Sequence, residues 1–198
     1  MMKLLVCTIT AIFVVVTGLS GAPRALAEEP SVDATPAMTD LGNVFVRFKV
    51  RVFGLLNIKG RFDRLAGAFT NDSRNDSTAV RMRIDATSVT TDDNWRDDLL
   101  RGPTFFATDR YPDITFSGWC LSGGEDGRKR LVGNLNVRGK SRTVVFDVEP
   151  IRLQPGESPA AYQAKTVIRR SEFGLNAMKN VISDEVEITV AMNTGPAQ

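Results

Sequence analysis

A period of two, repeated along most of the chain, constrains this sequence more than any other feature. In NVFVRFKVRVF, Val44, Val46, Phe48, Val50 and Val52 alternate with Asn43, Arg47, Lys49 and Arg51, and Phe45 alone breaks the polar set. Successive side chains of a strand point to opposite faces, so such a run buries one face and wets the other. The same parity recurs in Ile58, Gly60 and Phe62; in Val80, Met82 and Ile84; in Ile114, Phe116, Gly118 and Cys120; and in Leu131, Gly133, Leu135 and Val137. It continues through Val144, Phe146 and Val148, then Ala164, Thr166 and Ile168, and ends with Val186, Ile188 and Val190. Turn-forming stretches separate the runs: Gly123-Gly124 to Gly127, Arg138-Gly139-Lys140, and Pro155-Gly156 to Pro159. About eight strands are expected. Short turns imply antiparallel neighbours, and one-sided burial without an apolar edge run favours a closed sheet, so the expected fold is all-β, an eight-stranded antiparallel barrel. At that strand number the interior either fills with side chains or holds one small apolar ligand. Gly60, Gly118 and Gly133 fall on the inward parity, where they either mark bends or leave a cavity.

One segment, Asp92 to Leu121, reads differently. Asp92, Asp93 or Asn94 can cap a helix, and Gly102-Pro103 ends it after about two turns. Trp95 and Leu99 share a face that would be buried, while Asp97 and Arg101 can pair on another. Phe105 and Phe106 follow and require something apolar to pack on. The segment is expected to be a short helix covering one end of the barrel.

The first residues are expected to lie outside the fold. Lys3, the apolar run Leu4 to Leu19 and the small-x-small site Ala25-Leu26-Ala27 read as a secretory signal peptide over 1–27, with the mature chain starting at Glu28. A flexible lead-in over 28–42, a barrel domain over 43–193 and a tail over 194–198 complete the expected organisation, in the periplasm or secreted. Cleavage takes Lys3 and Arg24 away, so the Lys and Arg total of 25 becomes 23, equal to the 23 Asp and Glu. A neutral mature chain argues against a nucleic-acid partner, which calls for a clustered basic surface. No second apolar run is long enough for stable membrane insertion. Cys7 leaves with the signal peptide, so Cys120 has no intramolecular partner and is expected to be a buried, inert thiol.

The sequence contains no His. Ser-His-Asp and Cys-His nucleophile arrangements are therefore excluded, and zinc lacks its commonest nitrogen ligand. Helix capping and ion pairing account for the clusters Asp92-Asp93, Asp97-Asp98 and Asp184-Glu185 more simply than a carboxylate pair or calcium site. The expectation is no enzyme, no catalytic residue, no metal and no cofactor. Arg170 stands out, since counting by two from Ile168 directs it inward. Either it clamps the short helix to the barrel mouth through Asp97, Asp98 or Asp184, or its forked donors meet a polar ligand head group.

Six segments occur in order with consistent spacing: VRFKV; IKGRF followed by Gly67; Ile84 to Val89, ending in Ser88-Val89; RDDLLRGPTFFATDRYPDITFSG; VGNLNVRGKSRTVVFDV; and IRRSEFGLNAMKNVISDEVEITV. Together they resemble the YceI-like family, exported bacterial proteins with a lipocalin-like barrel that bind polyisoprenoid or related amphiphilic lipids. The similarity spans Val44 to Met192. Family members often carry His in the first strand region, and its absence here removes any property resting on an imidazole. The resemblance implies binding, sequestration or transport of a long-chain isoprenoid lipid or quinone in the barrel. The residues expected to contact it are Phe48, Val50, Phe62, Met82, Ile84, Phe106, Phe116, Leu135, Phe146, Ile168 and Arg170. The alternative is a non-catalytic structural or stress-related envelope protein with a packed barrel, acting through its surface. A homodimer is compatible with a covered mouth, although no interface signal demands one.

Overall fold

The computed structural model describes residues 38–40, 43–72, 77–121, 129–152 and 160–193. The signal-peptide and tail readings, most of the lead-in, and the two turns at 123–127 and 155–159 lie outside the described residues. The strands are β1 Thr39–Asp40, β2 Val44–Val52, β3 Leu56–Phe62, β4 Leu65–Asp72, β5 Ser77–Asp85, β6 Val89–Thr90, β7 Asp113–Leu121, β8 Lys129–Val137, β9 Lys140–Ile151, β10 Ala161–Arg169 and β11 Ile182–Asn193. One short helix, α1, runs Asn94–Arg101.

All the strands form a single antiparallel sheet in the order β1-β4-β5-β7-β8-β9-β10-β11-β2-β3-β6. The architecture is the expected antiparallel one, but the count of eight is corrected to eleven strand segments among the described residues. Two bends and one addition explain the difference. Only Asp63 and Arg64 separate β3 from β4, and a 3₁₀ turn over Ala86–Ser88 separates β5 from β6. Thr39 and Asp40, expected in the flexible lead-in, instead pair with Gly67 and Ala66 of β4. The expected strand ending at Ser88-Val89 therefore turns a corner after Asp85.

Local polar groups hold that corner. The Asp85 carboxylate accepts from Thr87 N–H at 2.8 Å and from Arg64 Nε at 2.9 Å, and Ser88 Oγ accepts from Arg64 N–H at 3.1 Å. Asp63 N–H donates to Ser88 O at 3.3 Å, and Asp85 N–H to Arg64 O at 3.0 Å. β3 thus pairs with β6, while β4 pairs with β5. The two ends of the sheet meet at this corner, and the sheet curls around one interior.

The register carries the inward parity from strand to strand. Phe62 lies opposite Val46, which lies opposite Val190; Met82 lies opposite Phe116, which lies opposite Leu135. Gly118 lies opposite Gly133. A Cβ on Gly133 would come within 2.6 Å of both the Gly118 Cα and the tip of the Phe116 ring. Likewise, a Cβ on Gly60 would collide with the Phe48 ring. At these inward glycines the space a Cβ would need is already occupied. Each gives a neighbouring aromatic ring room to lie flat against the sheet, which compensates for the missing side chain.

Candidate functional site

Two cavities inside the curl are lined by the described residues. The first, about 160 Å³, occupies the end nearest α1. Every residue singled out from the sequence lines it: Phe48, Val50, Phe62, Met82, Ile84, Phe106, Phe116, Leu135, Phe146, Ile168 and Arg170. The period of two does this directly, because residues of one parity on a curled sheet all face the same interior. The lining also includes Leu100, Phe105, Phe173, Leu175 and Ile182, which the sequence reading did not select. Leu100 comes from α1, and Phe173 and Leu175 from the turn after β10. Aromatic side chains crowd this end: Phe62 lies 5.8 Å, centroid to centroid, from both Phe48, which is tilted to it, and Phe106, which meets it edge-on, and Phe116 meets Phe146 edge-on at 5.7 Å.

The second cavity, about 400 Å³, lies towards the opposite end and has a mixed lining. Val44, Val148, Ala164 and Met192 supply apolar walls; Asn71, Thr78, Lys129, Tyr162 and Cys120 supply polar ones. Lys129 Nζ sits 5.8 Å from the centre of the Tyr162 ring. Met82, Leu131 and Val190 line both cavities and form the partition between them. The interior is thus graded along its length, apolar at the α1 end and amphipathic at the other. Cys120 is half-buried rather than buried; its burial raises the thiol pKa despite the nearby Lys129 charge, which keeps it a thiol.

Arg170 is 4% exposed, and its partners are not those of the clamp expected through Asp97, Asp98 or Asp184. It belongs to a 3₁₀ turn, Arg170–Phe173, and donates only to backbone carbonyls: Ser183 O at 2.9 Å, Leu175 O at 2.5 Å, Ala177 O at 2.8 Å and Ile182 O at 2.9 Å. None of Asp97, Asp98 or Asp184 forms a salt bridge with it. Asp184 instead accepts from Ser171 N–H and Oγ, at 2.9 and 2.7 Å. Burial lowers the guanidinium pKa, partly offset by the Asp184 charge. Arg170 therefore pins the 175–183 segment to the end of β10. The bridge from the helix side comes from a residue the sequence reading passed over. Arg138, at φ 53° in the β8–β9 turn, donates to Pro103 O at 2.8 Å and Gly174 O at 3.3 Å. Only its place beside Gly139 hinted at a fixed position.

The packing of α1 also corrects the expected face. Asp93 caps it, accepting from Arg96 N–H at 3.1 Å. Trp95, expected inside, is 74% exposed, and Asp97, expected on the wet face, is 4% exposed. Asp97 accepts from Thr90 Oγ1, Thr91 N–H and Thr91 Oγ1 at 2.9, 2.7 and 2.6 Å. Arg101 pairs with Asp98, not Asp97, and donates to Thr87 O and Val89 O at 2.9 and 3.0 Å. The helix rests on a polar platform at the β5–β6 corner.

This platform makes the fold acid-sensitive. Burial raises the Asp97 pKa, but the hydrogen bonds from Thr91 and Thr90 together with the Arg101 charge outweigh it, and the net shift is downward from 3.8. A carboxyl with a lowered folded pKa contributes stability that is complete above its unfolded value and is lost as pH falls through the folded one. Stability should hold down to about pH 4 and then decline. Urea midpoints measured against pH should show that decline, and Asp97→Asn should weaken it. An unchanged pH profile in the variant would contradict the assignment.

Among the described residues, no group of three or more His, Cys, Asp or Glu is placed to hold a metal ion. Nor is any described helix long and apolar enough to cross a membrane.

Known proteins share this architecture. The family model described as YceI-like domain matches residues 38–194. A UPF0312 protein of Pectobacterium carotovorum subsp. carotovorum is 30% identical over 199 aligned positions, covering 97% of this chain and 97% of the relative. Protein YceI of Escherichia coli O6:H1 is 27% identical over 157 positions, 76% of this chain and 80% of that one. Of the solved structures, Burkholderia cenocepacia BcnA aligns with a TM-score of 0.67 at 21% identity, over 79% of this chain and 99% of that one. A polyisoprenoid binding domain from Saccharophagus degradans aligns with a TM-score of 0.56 at 16% identity, over 78% and 94%. At those identities the structural likeness is one of fold.

Proposed function

The chain belongs to the YceI-like family, and from that premise we propose that it binds a long-chain apolar or amphiphilic lipid, of polyisoprenoid or isoprenoid-quinone type, in the barrel interior. The observation that carries the reading is the pair of neighbouring cavities that share Met82, Leu131 and Val190 in their linings. A tail entering the apolar cavity and a polar group beside Asn71, Thr78, Lys129 and Tyr162 match that gradient. The polyisoprenoid binding of the Saccharophagus domain supports the choice of ligand class.

Burial drives such binding at about 25 cal/mol per Å² of apolar surface, so a tail burying several hundred Å² reaches roughly micromolar affinity after association costs. The first cavity is close to the size known to hold a single aromatic ring, about 150 Å³. A long chain must therefore run through the partition and push aside ring side chains such as Phe48 or Phe106. The reaction is binding alone, with no catalytic step, metal or cofactor. Export to the periplasm or beyond belongs to the same reading. An intact mass beginning at Glu28 checks it, and a mass retaining residues 1–27 would contradict it.

Titration with a fluorescent long-chain isoprenoid tests the binding. The wild type should saturate, and Met82→Asp or Phe116→Asp, checked for folding by circular dichroism, should not. Folded Asp variants that bind as tightly as the wild type would overturn the assignment. A packed barrel acting through its surface is favoured by one observation, the aromatic filling of the α1 end. It predicts no saturable binding in any of these proteins.

A further inference from the structure

The β2–β3 hairpin carries an apolar tip that neither the core nor the cavities use. Phe53 is 67% exposed, Leu55 85% and Leu56 59%. The chain turns there with Phe53 at φ 51° and Gly54 at φ 69°, and Leu55 N–H donates to Val52 O at 3.2 Å. Left-handed turn positions suit Gly and Asn, and a bulky side chain there is strained. Turn geometry therefore does not account for Phe53, and burial does not either. Phe53 N–H also donates to Val181 O at 2.8 Å, tying the tip to the turn before β11. In that turn Met178 is 48% exposed and again at φ 51°. Two apolar side chains at left-handed positions and two exposed leucines thus share one projection.

The outer face of the same hairpin is cationic. Across the β2–β3 pair Arg47 lies opposite Arg61, Lys49 opposite Lys59, and Arg51 opposite Asn57. Like charges directly opposite one another weaken a strand pair, so the β2–β3 pairing itself does not explain them. Lys49 is held by Glu187, and Arg61 by Asp63 and Asp92. Arg51, Lys59 and, in the adjoining turn, Lys179 are exposed and have no ion pair among the described residues. Of the acids that follow on β11, Asp184 lies in the field of Arg170 and Arg169, and Glu185 lies opposite Arg169. The projection also borders the first cavity, because Val50 and the Val52 partner Ile182 both line it.

We propose that this tip, with the Met178 turn beside it, is a membrane-docking element: Phe53, Leu55 and Leu56 enter the interface of an anionic bilayer while Arg51, Lys59 and Lys179 meet its headgroups. An apolar projection collared by uncompensated cations matches a surface on which anionic headgroups overlie acyl chains. Docking there sets the side of the first cavity that Val50 and Ile182 line against the bilayer. The proposal does not depend on the cavity being filled, so its failure would leave the lipid-binding reading untouched, and the reverse also holds.

Co-sedimentation with vesicles of equimolar phosphatidylcholine and phosphatidylglycerol tests it. The wild-type protein should sediment with these vesicles and about tenfold more weakly with phosphatidylcholine alone or in high salt. The double substitution Phe53→Asn with Leu55→Ser suits the turn, so its thermal midpoint should be unchanged or higher, and its vesicle binding should fall by about tenfold or more. Arg51→Glu with Lys59→Glu should remove the preference for the anionic vesicles. Three results would overturn the proposal: no sedimentation of the wild type, equal binding by the Phe53→Asn, Leu55→Ser protein, or conversion of a dimer to a monomer by that variant in lipid-free sedimentation velocity. The last would make the tip an interface between copies of the chain.

Discussion

Replacing Arg170 with Met should lower unfolding free energy by about 3–5 kcal/mol, read from urea midpoints at neutral pH. The guanidinium is buried and donates to four carbonyls, those of Leu175, Ala177, Ile182 and Ser183. Removing it leaves those half-buried acceptors without their donor, and each orphaned acceptor costs up to about 1–3 kcal/mol before relaxation. Arg170→Lys should recover little of the loss, because an ammonium is a compact point donor that cannot span the fork's four directions. The α1 end should loosen first, since Leu175 and Ile182 line the first cavity. A loss below about 1 kcal/mol would mean the carbonyls find other donors and Arg170 is not the pin described.

The second large effect concerns the partition. Val190→Trp or Leu131→Trp should fill the passage between the cavities with an indole while keeping it apolar. Overpacking of this kind costs about 1–3 kcal/mol, which leaves the protein folded. If one chain threads both cavities, affinity for an isoprenoid of many units should drop by about a hundredfold, while a short isoprenoid confined to one cavity should bind nearly as before. The comparison of chain lengths separates a blocked passage from a damaged fold. Equal losses for short and long ligands would contradict a continuous interior.

The inward residues were legible because the pleat itself sets a period of two, so parity alone placed residues such as Phe48, Met82, Phe116 and Ile168 on the cavity wall. Distance along the chain hid other features. The corner that splits β3 from β4 and β5 from β6 depends on Arg64 meeting Asp85 and Ser88, which lie 21 and 24 residues away. Nothing local to IKGRF announces that bend. The face of α1 was misread because an apolar platform was assumed. The real one is polar beside the apolar seat of Leu100: Asp97 and Arg101 turn towards the Thr87 and Val89 carbonyls and the Thr90 and Thr91 hydroxyls, and Trp95 turns out. Arg170 was rightly directed inward, but the partners of a long side chain depend on where distant loops return. The same holds for Arg138, whose acceptors lie 35 and 36 residues away. The role of the inward glycines needed the register: Phe116 precedes Gly118 by two, but that its ring also covers Gly133 follows only once β7 and β8 are aligned.

The most direct test of the lipid-binding account is native mass spectrometry of the protein purified from its own cells, followed by organic extraction and identification of whatever is released. The account predicts a bound species of isoprenoid or quinone mass, lost on extraction and regained on incubation with a long-chain isoprenoid. A ligand-free mass that stays unchanged after such incubation would contradict it and make the outer surface the place to look for function.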